Sequence, residues 1–354
     1  MNNSNSFDKN LIVETKLNKD DIKFYSVLSE PFRIYGLTYD HEDKIFKRIP
    51  TSVAEQMSEH VMVLHLRTAG GRVRFVTDSA YIAISAKMPA IYRASNFSLS
   101  GSASFDMYVK KNGVEKYNNT FTPPYGMTDG YESIFEFKTK EMREVTINFP
   151  LYSSLSELYI GLQEGTEVKE ASPYTYDKPV VFYGSSITQG ACASRAGNAY
   201  SAMVSRRFDC DFINLGFSGN AKAEPAIAEY IAGLDMTAFV YDYDHNASSV
   251  EYLRSTHKRM FDTVRSANPD LPIIMMSSVS LPRVHDDRDA RIEVIRDTYR
   301  SALDAGDKNV YFINGAELFA DIEDIATIEG CHPNDIGFLY MANAVGDVLE
   351  KILK

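Results

Sequence analysis

From residue 177 onward, apolar β-branched runs alternate with amphipathic helical segments, and few folds accommodate that order. The runs PVVFYG, CDFINLGF, TAFVYDYD, LPIIMMSSVS and NVYFING are separated by NAYSAMVSRRF, EPAIAEYIAGL, SVEYLRSTHKRMFDTVRSA and ARIEVIRDTYRSALDAG, and FLYMANAVGDVLEKIL follows the last strand. Strands apolar on both faces belong inside a parallel sheet, and strand–helix alternation covers such a sheet with helices on either side. The pattern predicts a three-layer α/β/α domain over 177–354 built on a five-stranded parallel sheet. Ligands in these sheets collect beyond the carboxyl ends of the strands. The first strand ends in GSSITQG, so Ser185 and Ser186 fall at its tip.

The preceding part has a different texture. FRIYGL, VMVLHLRT, RVRFVT, YIAISAK, FDMYVKKNG, SIFEFKTK, EVTINFPL and LYIGL are short apolar-rich runs, many alternating at period two, with Gly, Pro, Asn and Ser between them. This predicts an antiparallel, jelly-roll-like β-sandwich over 23–170. Pro123 and Pro124 mark a loop rather than a central strand. Residues 1–22 are expected to form an N-terminal arm, and the cluster of charge and proline over 165–177 sets the boundary between the two halves.

A serine hydroxyl is a weak nucleophile and needs a base. Later loops of the second half supply candidates. NLGFSGNA carries Gly216 and Gly219, which let backbone N–H groups approach a ligand closely. YDYDHNA holds Asn246 just past a strand, and TIEGCHPNDIGF holds His332 before the last helix. Each has an ordinary structural reading as turn glycine, helix cap or surface histidine. Their occurrence at successive strand ends, all on one sheet edge, favours a common site.

Bulk properties exclude some alternatives. The net charge of -11 argues against a nucleic-acid surface, which needs concentrated Lys and Arg. No segment approaches the roughly 20 apolar residues of a membrane span. The polar start, MNNSNSFDKNLIVETKLNKD, has no apolar signal core, and the 3 cysteines (Cys192, Cys210, Cys331) follow no metal-ligand spacing, so reduced thiols in a cytoplasm are expected. No metal or other cofactor is expected.

The order Gly-x-Ser, Asn-x-Gly-x-x-Gly, Asn, then an acid with His-Pro resembles the SGNH hydrolases, a branch of the GDSL esterases. The resemblance implies Ser186 as nucleophile, His332 as base, and an oxyanion hole of the Ser186 and Gly219 N–H groups with the Asn246 amide. SFDMY, Ser104 to Tyr108, is similar to the Gly-x-Asp-Leu-Tyr signature of members with an N-terminal sandwich, with Ser for Gly and Met for Leu; GACASRAG after the nucleophile resembles the same subgroup. Ser185 stands where the parent motif has Asp, and Glu329 stands where the family usually has Asp before His332. Glutamate also serves in some α/β-hydrolase triads, while a backbone carbonyl orienting His332 would leave a dyad.

Relatives of this two-domain kind often deacetylate carbohydrates. The expected activity is therefore a cofactor-free serine acetylesterase acting on acetylated oligosaccharides, with xylo-oligosaccharides preferred. Arg195, His245 and Tyr125 are candidate substrate contacts, and a homo-oligomer is expected from the enclosed sites of similar esterases. The alternatives are a short-chain acyl-ester, lipid or thioester hydrolase, or a non-catalytic carbohydrate-binding protein. The sugar, the acetylated position, the triad acid and the sandwich's role are left open by the sequence.

Overall fold

The computed structural model describes residues 17–353 apart from 282, 283, 285 and 324; the expected arm therefore lies, as far as residue 16, outside the described residues. Two antiparallel sheets form first. One has the order β1 (Ile22–Ser26), β11 (Glu157–Gln163), β6 (Tyr81–Lys87), β9 (Gly130–Glu136). The other has the order β12 (Val168–Lys169), β5 (Arg72–Thr77), β10 (Arg143–Asn148), β7 (Phe105–Lys111), β8 (Val114–Phe121), with β2 (Arg33–Tyr35) also on β5. Alternate residues of these strands, among them Phe75, Ile84, Phe105, Met107, Ile147 and Ile160, fill the space between the sheets. A two-stranded ladder of β3 (Thr38–Asp40) and β4 (Ile45–Lys47) lies outside both sheets.

VMVLHLRT, expected as a strand, is helical over its first half. Ser58 caps α2 (Glu59–Leu64) by accepting from Val61 N at 3.2 Å, and Glu59 occupies the first turn where the helix dipole favours an acid. α2 and α1 (Thr51–Ala54) pack Ala54 and Val61 against the second half of the chain, so the apolar residues face a neighbour rather than a sheet interior.

The second half contains the five-stranded parallel sheet, in the order β14 (Cys210–Gly216), β13 (Tyr176–Gly184), β15 (Ala238–Asp242), β16 (Ile273–Met276), β17 (Val310–Ile313). One face is covered by α5 (Tyr200–Phe208) and α10 (Asp335–Ile352), the other by α6 (Pro225–Ala232), α7 (Val250–Ala267) and α8 (Arg288–Asp304). The first strand lies between its two neighbours, so the connections reverse direction beside it. That is the switch point where doubly wound sheets open a ligand crevice.

Residues of the first half enter the core of the second. Ala69, Phe97, Leu151 and Tyr152 of the sandwich pack in the same buried cluster as Phe182, Tyr200 and Phe338. The buried Arg72 guanidinium pairs with Asp211, donates to Phe212 O at 3.2 Å and to Tyr174 OH at 2.8 Å, and stacks on the Phe212 ring. A guanidinium so engaged keeps its charge while bridging two sheets.

His257 on α7 is fully enclosed, stacked on Tyr241 with ring centroids 4.7 Å apart and bonded through Nδ1 to Thr298 Oγ1 at 2.9 Å. Burial pushes its pKa from 6.5 down to about 3. The unfolded chain therefore takes up a proton as pH falls below 6.5 that the native state refuses until near 3, and native stability is lost through that window. Replacement by phenylalanine removes this term. Thermal midpoints titrated from pH 7 to 4 are expected to fall less steeply for His257→Phe than for the wild type, the difference being at most about 1.4 kcal/mol per pH unit.

Candidate active site

Val180 to Gly184 of β13 are buried between β14 and β15. The chain then turns sharply. Ser185 caps α4 (Ser186–Gln189) through its Oγ, which accepts from Ile187 N at 3.1 Å, and Gly190 ends that short helix at φ 104°. Thr188 Oγ1 reaches back to donate to Asp242 at the tip of β15, and Tyr200 OH donates to the other oxygen at 3.3 Å. A Cβ on Gly184 would overlap both Asp242 and Thr188, so glycine is what lets this bond close over the strand end. Burial holds the Asp242 carboxyl well above the usual range.

This turn presents Ser186 at the sheet edge. Its Oγ lies 2.9 Å from His332 Nε2, and Glu329 Oε1 lies 2.5 Å from the other ring nitrogen, Nδ1. The same Glu329 oxygen accepts from the His332 backbone N–H at 3.0 Å, so the carboxylate fixes both the ring and its peptide. The Glu329 side chain is 40% exposed against 25% for His332. The loop carrying them is clasped by Ile328 N on His332 O at 2.9 Å and Gly330 N on Thr327 Oγ1 at 2.9 Å. Behind it, Asn334 caps α10 by accepting from Ile336 and Gly337 N–H groups, and Asp335 accepts from Ser194 and Asn198 in the loop after the serine.

The second wall comes from the loop after β14. Phe217 N donates to Gly184 O at 2.8 Å and Ser218 N to Gln189 Oε1 at 3.1 Å, which ties this loop to the serine turn. Gly219 follows at φ 70°, exposed, with open space where a side chain would be. Asn246 is half-buried, and its Oδ1 accepts from Ala221 N at 3.1 Å. That bond sets the orientation of the amide, leaving Nδ2 to donate elsewhere.

Several contributing residues carry no sequence signal. Arg48, from the sandwich half, inserts its guanidinium beneath the second wall, donating to Gly216 O, to Asn214 O at 3.3 Å and to Leu64 O at 2.6 Å while stacking on Phe217. Burial pulls its pKa down to about 9. Tyr152 donates to Ser186 O at 3.2 Å. Beside His332 lies a cavity of about 110 Å³ lined by Tyr92, Phe97 and Tyr152 of the sandwich with Ala191, Cys192 and Ser218. Burial, aided by Glu329, pushes the Cys192 thiol up to about 12. The sandwich thus supplies part of the site directly.

The three candidate substrate contacts separate. Tyr125 is 87% exposed and lines a neighbouring cavity of about 280 Å³ with Arg93 and Leu99; Ala94 and Phe97 are shared with the cavity at His332. His245 sits behind the His332 loop, its Nε2 2.6 Å from Ser278 Oγ and its Nδ1 4.0 Å from Cys331 Sγ. Arg195 is engaged in the seam between the halves, near Asp106 at 3.4 Å and Tyr108 OH at 3.5 Å and stacked on Tyr117. A buried carboxylate therefore faces its guanidinium, whose side chain remains 25% exposed.

Asp106 is the acid of the SFDMY stretch. It is fully buried and accepts from Asn148 Nδ2 at 2.9 Å and Gly197 N at 2.8 Å besides facing Arg195. Removing such a carboxylate leaves its donors unpaired and a guanidinium uncompensated. Asp106→Ala is expected to lower stability by about 3–5 kcal/mol, read as a drop in the urea midpoint, with Asp106→Asn losing less.

Comparison with known proteins gives a consistent result. Residues 177–350 match the model of the GDSL-like lipase/acylhydrolase family, and residues 22–168 match that of the GxDLY N-terminus of SGNH-hydrolase-type esterases. A Bacteroides ovatus protein designated a GDSL-like lipase shares 28% identity over 94% of this chain and 98% of its own, with a TM-score of 0.84. The salicylyl-acyltransferase SsfX3 of a tetracycline biosynthetic pathway shares 19% over 94% and 98%, with a TM-score of 0.77. The acetyl xylan esterase Est2A of Butyrivibrio proteoclasticus shares 13% over 94% and 98%, with a TM-score of 0.61. The last two establish likeness of fold. No curated protein sequence matches the chain.

Proposed function

The chain belongs to the SGNH/GDSL hydrolases that carry a GxDLY-type N-terminal sandwich, and from that premise we propose a serine esterase that removes acetyl groups from oligosaccharides. The observation that carries the reading is the 2.9 Å approach of Ser186 Oγ to His332 Nε2, with Glu329 on the opposite nitrogen. His332 takes the hydroxyl proton as Oγ attacks the ester carbonyl, and returns it to the departing sugar oxygen. Glu329 holds the Nδ1–H tautomer and offsets the charge of the transient imidazolium. The tetrahedral oxyanion is received by the N–H groups of Ser186 and Gly219 and by Asn246 Nδ2. Water, deprotonated by the same imidazole, then releases acetate.

The size of the cavity at His332, about 110 Å³, supports a short acyl group bounded by Phe97 and Tyr152. The wider cavity toward Tyr125 suits the sugar, whose ring faces stack on aromatics, and xylo-oligosaccharides are the preferred substrate. Transfer of the acyl group to an alcohol rather than to water is the second reading, favoured by the aromatic walls and by the likeness to SsfX3. The two readings share the acyl-enzyme and part at its acceptor.

Incubation with a mixed library of acetylated oligosaccharides, followed by mass and linkage analysis, is expected to show free acetate and loss of acetyl groups. Transfer without acetate release would favour the second reading, and no change in either would refute both. Ser186→Ala is expected to lower kcat by about 10⁴–10⁶ and Asn246→Ala by about 10²–10³. Glu329→Gln should cost about 10², because the carboxylate it replaces is partly solvated. Across 4-nitrophenyl esters, kcat/KM should fall steeply beyond butyryl, and Phe97→Ala should extend the tolerated chain length.

A further inference from the structure

Cys192 takes no part in that reaction, yet it stands against the site. Its Sγ, a Glu329 carboxylate oxygen and a His332 ring nitrogen all lie within 4.8 Å of one another. The backbone at Cys192 has φ 72°, a conformation that costs a side-chain-bearing residue energy and that glycine would adopt freely. The thiol itself donates to Asn96 O at 3.3 Å and borders two cavities, one of about 110 Å³ at His332 and one of about 520 Å³ that also reaches Asn334 and Asp335. The smaller cavity thus gives a solvated ion a route to Cys192 and His332, and the Glu329 side chain is itself 40% exposed.

We propose that Cys192, Glu329 and His332 form an inhibitory binding site for a thiophilic divalent cation, of which Zn²⁺ is the type. One thiolate, one imidazole and one carboxylate make a donor set suited to a borderline-soft tetrahedral ion. Ligands around such an ion stand about 3.5 Å apart, so side-chain rotations of about an ångström close the cluster. The fourth position is open to water, since Ser186 Oγ adjoins the opposite ring nitrogen of His332 from the one that faces Glu329. On binding, the ion sheds water, the Cys192 S–H proton passes to solvent as the metal–sulfur bond forms, and His332 contributes the Nδ1 lone pair that faces Glu329, the ring proton moving to Nε2. No electrons change hands. An imidazole and a carboxylate engaged in this way cannot accept and return the Ser186 proton.

Only the inhibition rests on the proposed role of His332; the binding does not. The full-length protein is titrated with Co²⁺, a spectroscopic stand-in for Zn²⁺, and the thiolate-to-metal absorption is recorded for wild type, Cys192→Ser and Cys331→Ser. One equivalent with a thiolate band is expected in the wild type, retained in Cys331→Ser and lost in Cys192→Ser. In parallel, hydrolysis of 4-nitrophenyl acetate is followed at buffered Zn²⁺ concentrations, each variant being normalised to its own metal-free rate. The half-inhibitory concentration should rise at least about tenfold in Cys192→Ser, and chelator should restore the wild-type rate. Absence of the band in the wild type, its persistence in Cys192→Ser, or inhibition indifferent to Cys192 overturns the proposal. A protein inert toward esters that still shows the Cys192-dependent band refutes the esterase reading and leaves the cation site standing.

Discussion

Residues 146 positions apart in the chain, Ser186 and His332, meet through a single hydrogen bond, and the site exists only where the fold holds them together. Neither side chain is positioned by its own segment alone. The serine is set by a buried strand, a capped turn and the Thr188–Asp242 bond that Gly184 makes room for. The histidine is set by a loop clasped at both ends and by a helix whose first residue reaches back to the serine's own loop. Bringing distant segments together costs little more entropy than bringing near ones, since loop closure grows only logarithmically with length. What the protein must supply is rigidity at the meeting point, and it does so with buried, mutually satisfied polar groups.

The sandwich belongs to that rigidity. Arg48 fills the space under the Gly216–Gly219 loop, Tyr152 binds the Ser186 carbonyl, and Asp106, held by Asn148 of its own sheet, gathers Gly197 and Arg195 across the seam. An apolar cluster drawn from both halves backs these contacts. Separate hinged bodies would require an interface that water can enter, whereas here Phe97 and Tyr152 are packed among the residues of the parallel sheet.

Much of this was legible in the sequence wherever burial imposes a simple pattern. The five central strands stand out because both faces are apolar, and the site glycines and Asn246 stand out because small and polar residues follow those strands directly. The polar edge strand β8 escapes notice because much of it faces solvent and has no apolar alternation to show. α2 resembles a strand until the Ser58 cap is weighed against its β-branched residues. Arg48, Tyr92, Phe97 and Tyr152 lie far from the serine in sequence and belong to ordinary core or loop patterns, so only tertiary packing reveals them. The pairing of Arg195 with Asp106, a buried acid from the other half of the chain, is likewise visible only in the folded protein.

The cavity at His332 draws its outer wall from the loop at 92–97, while the atoms beside Ser186 Oγ come from the parallel-sheet domain. The outer wall and the Ser186–His332 pair are thus written on separate stretches of polypeptide. Exchanges at the loop's exposed positions reshape that wall, whereas Phe97, packed on Tyr152, is tied to the serine's own support.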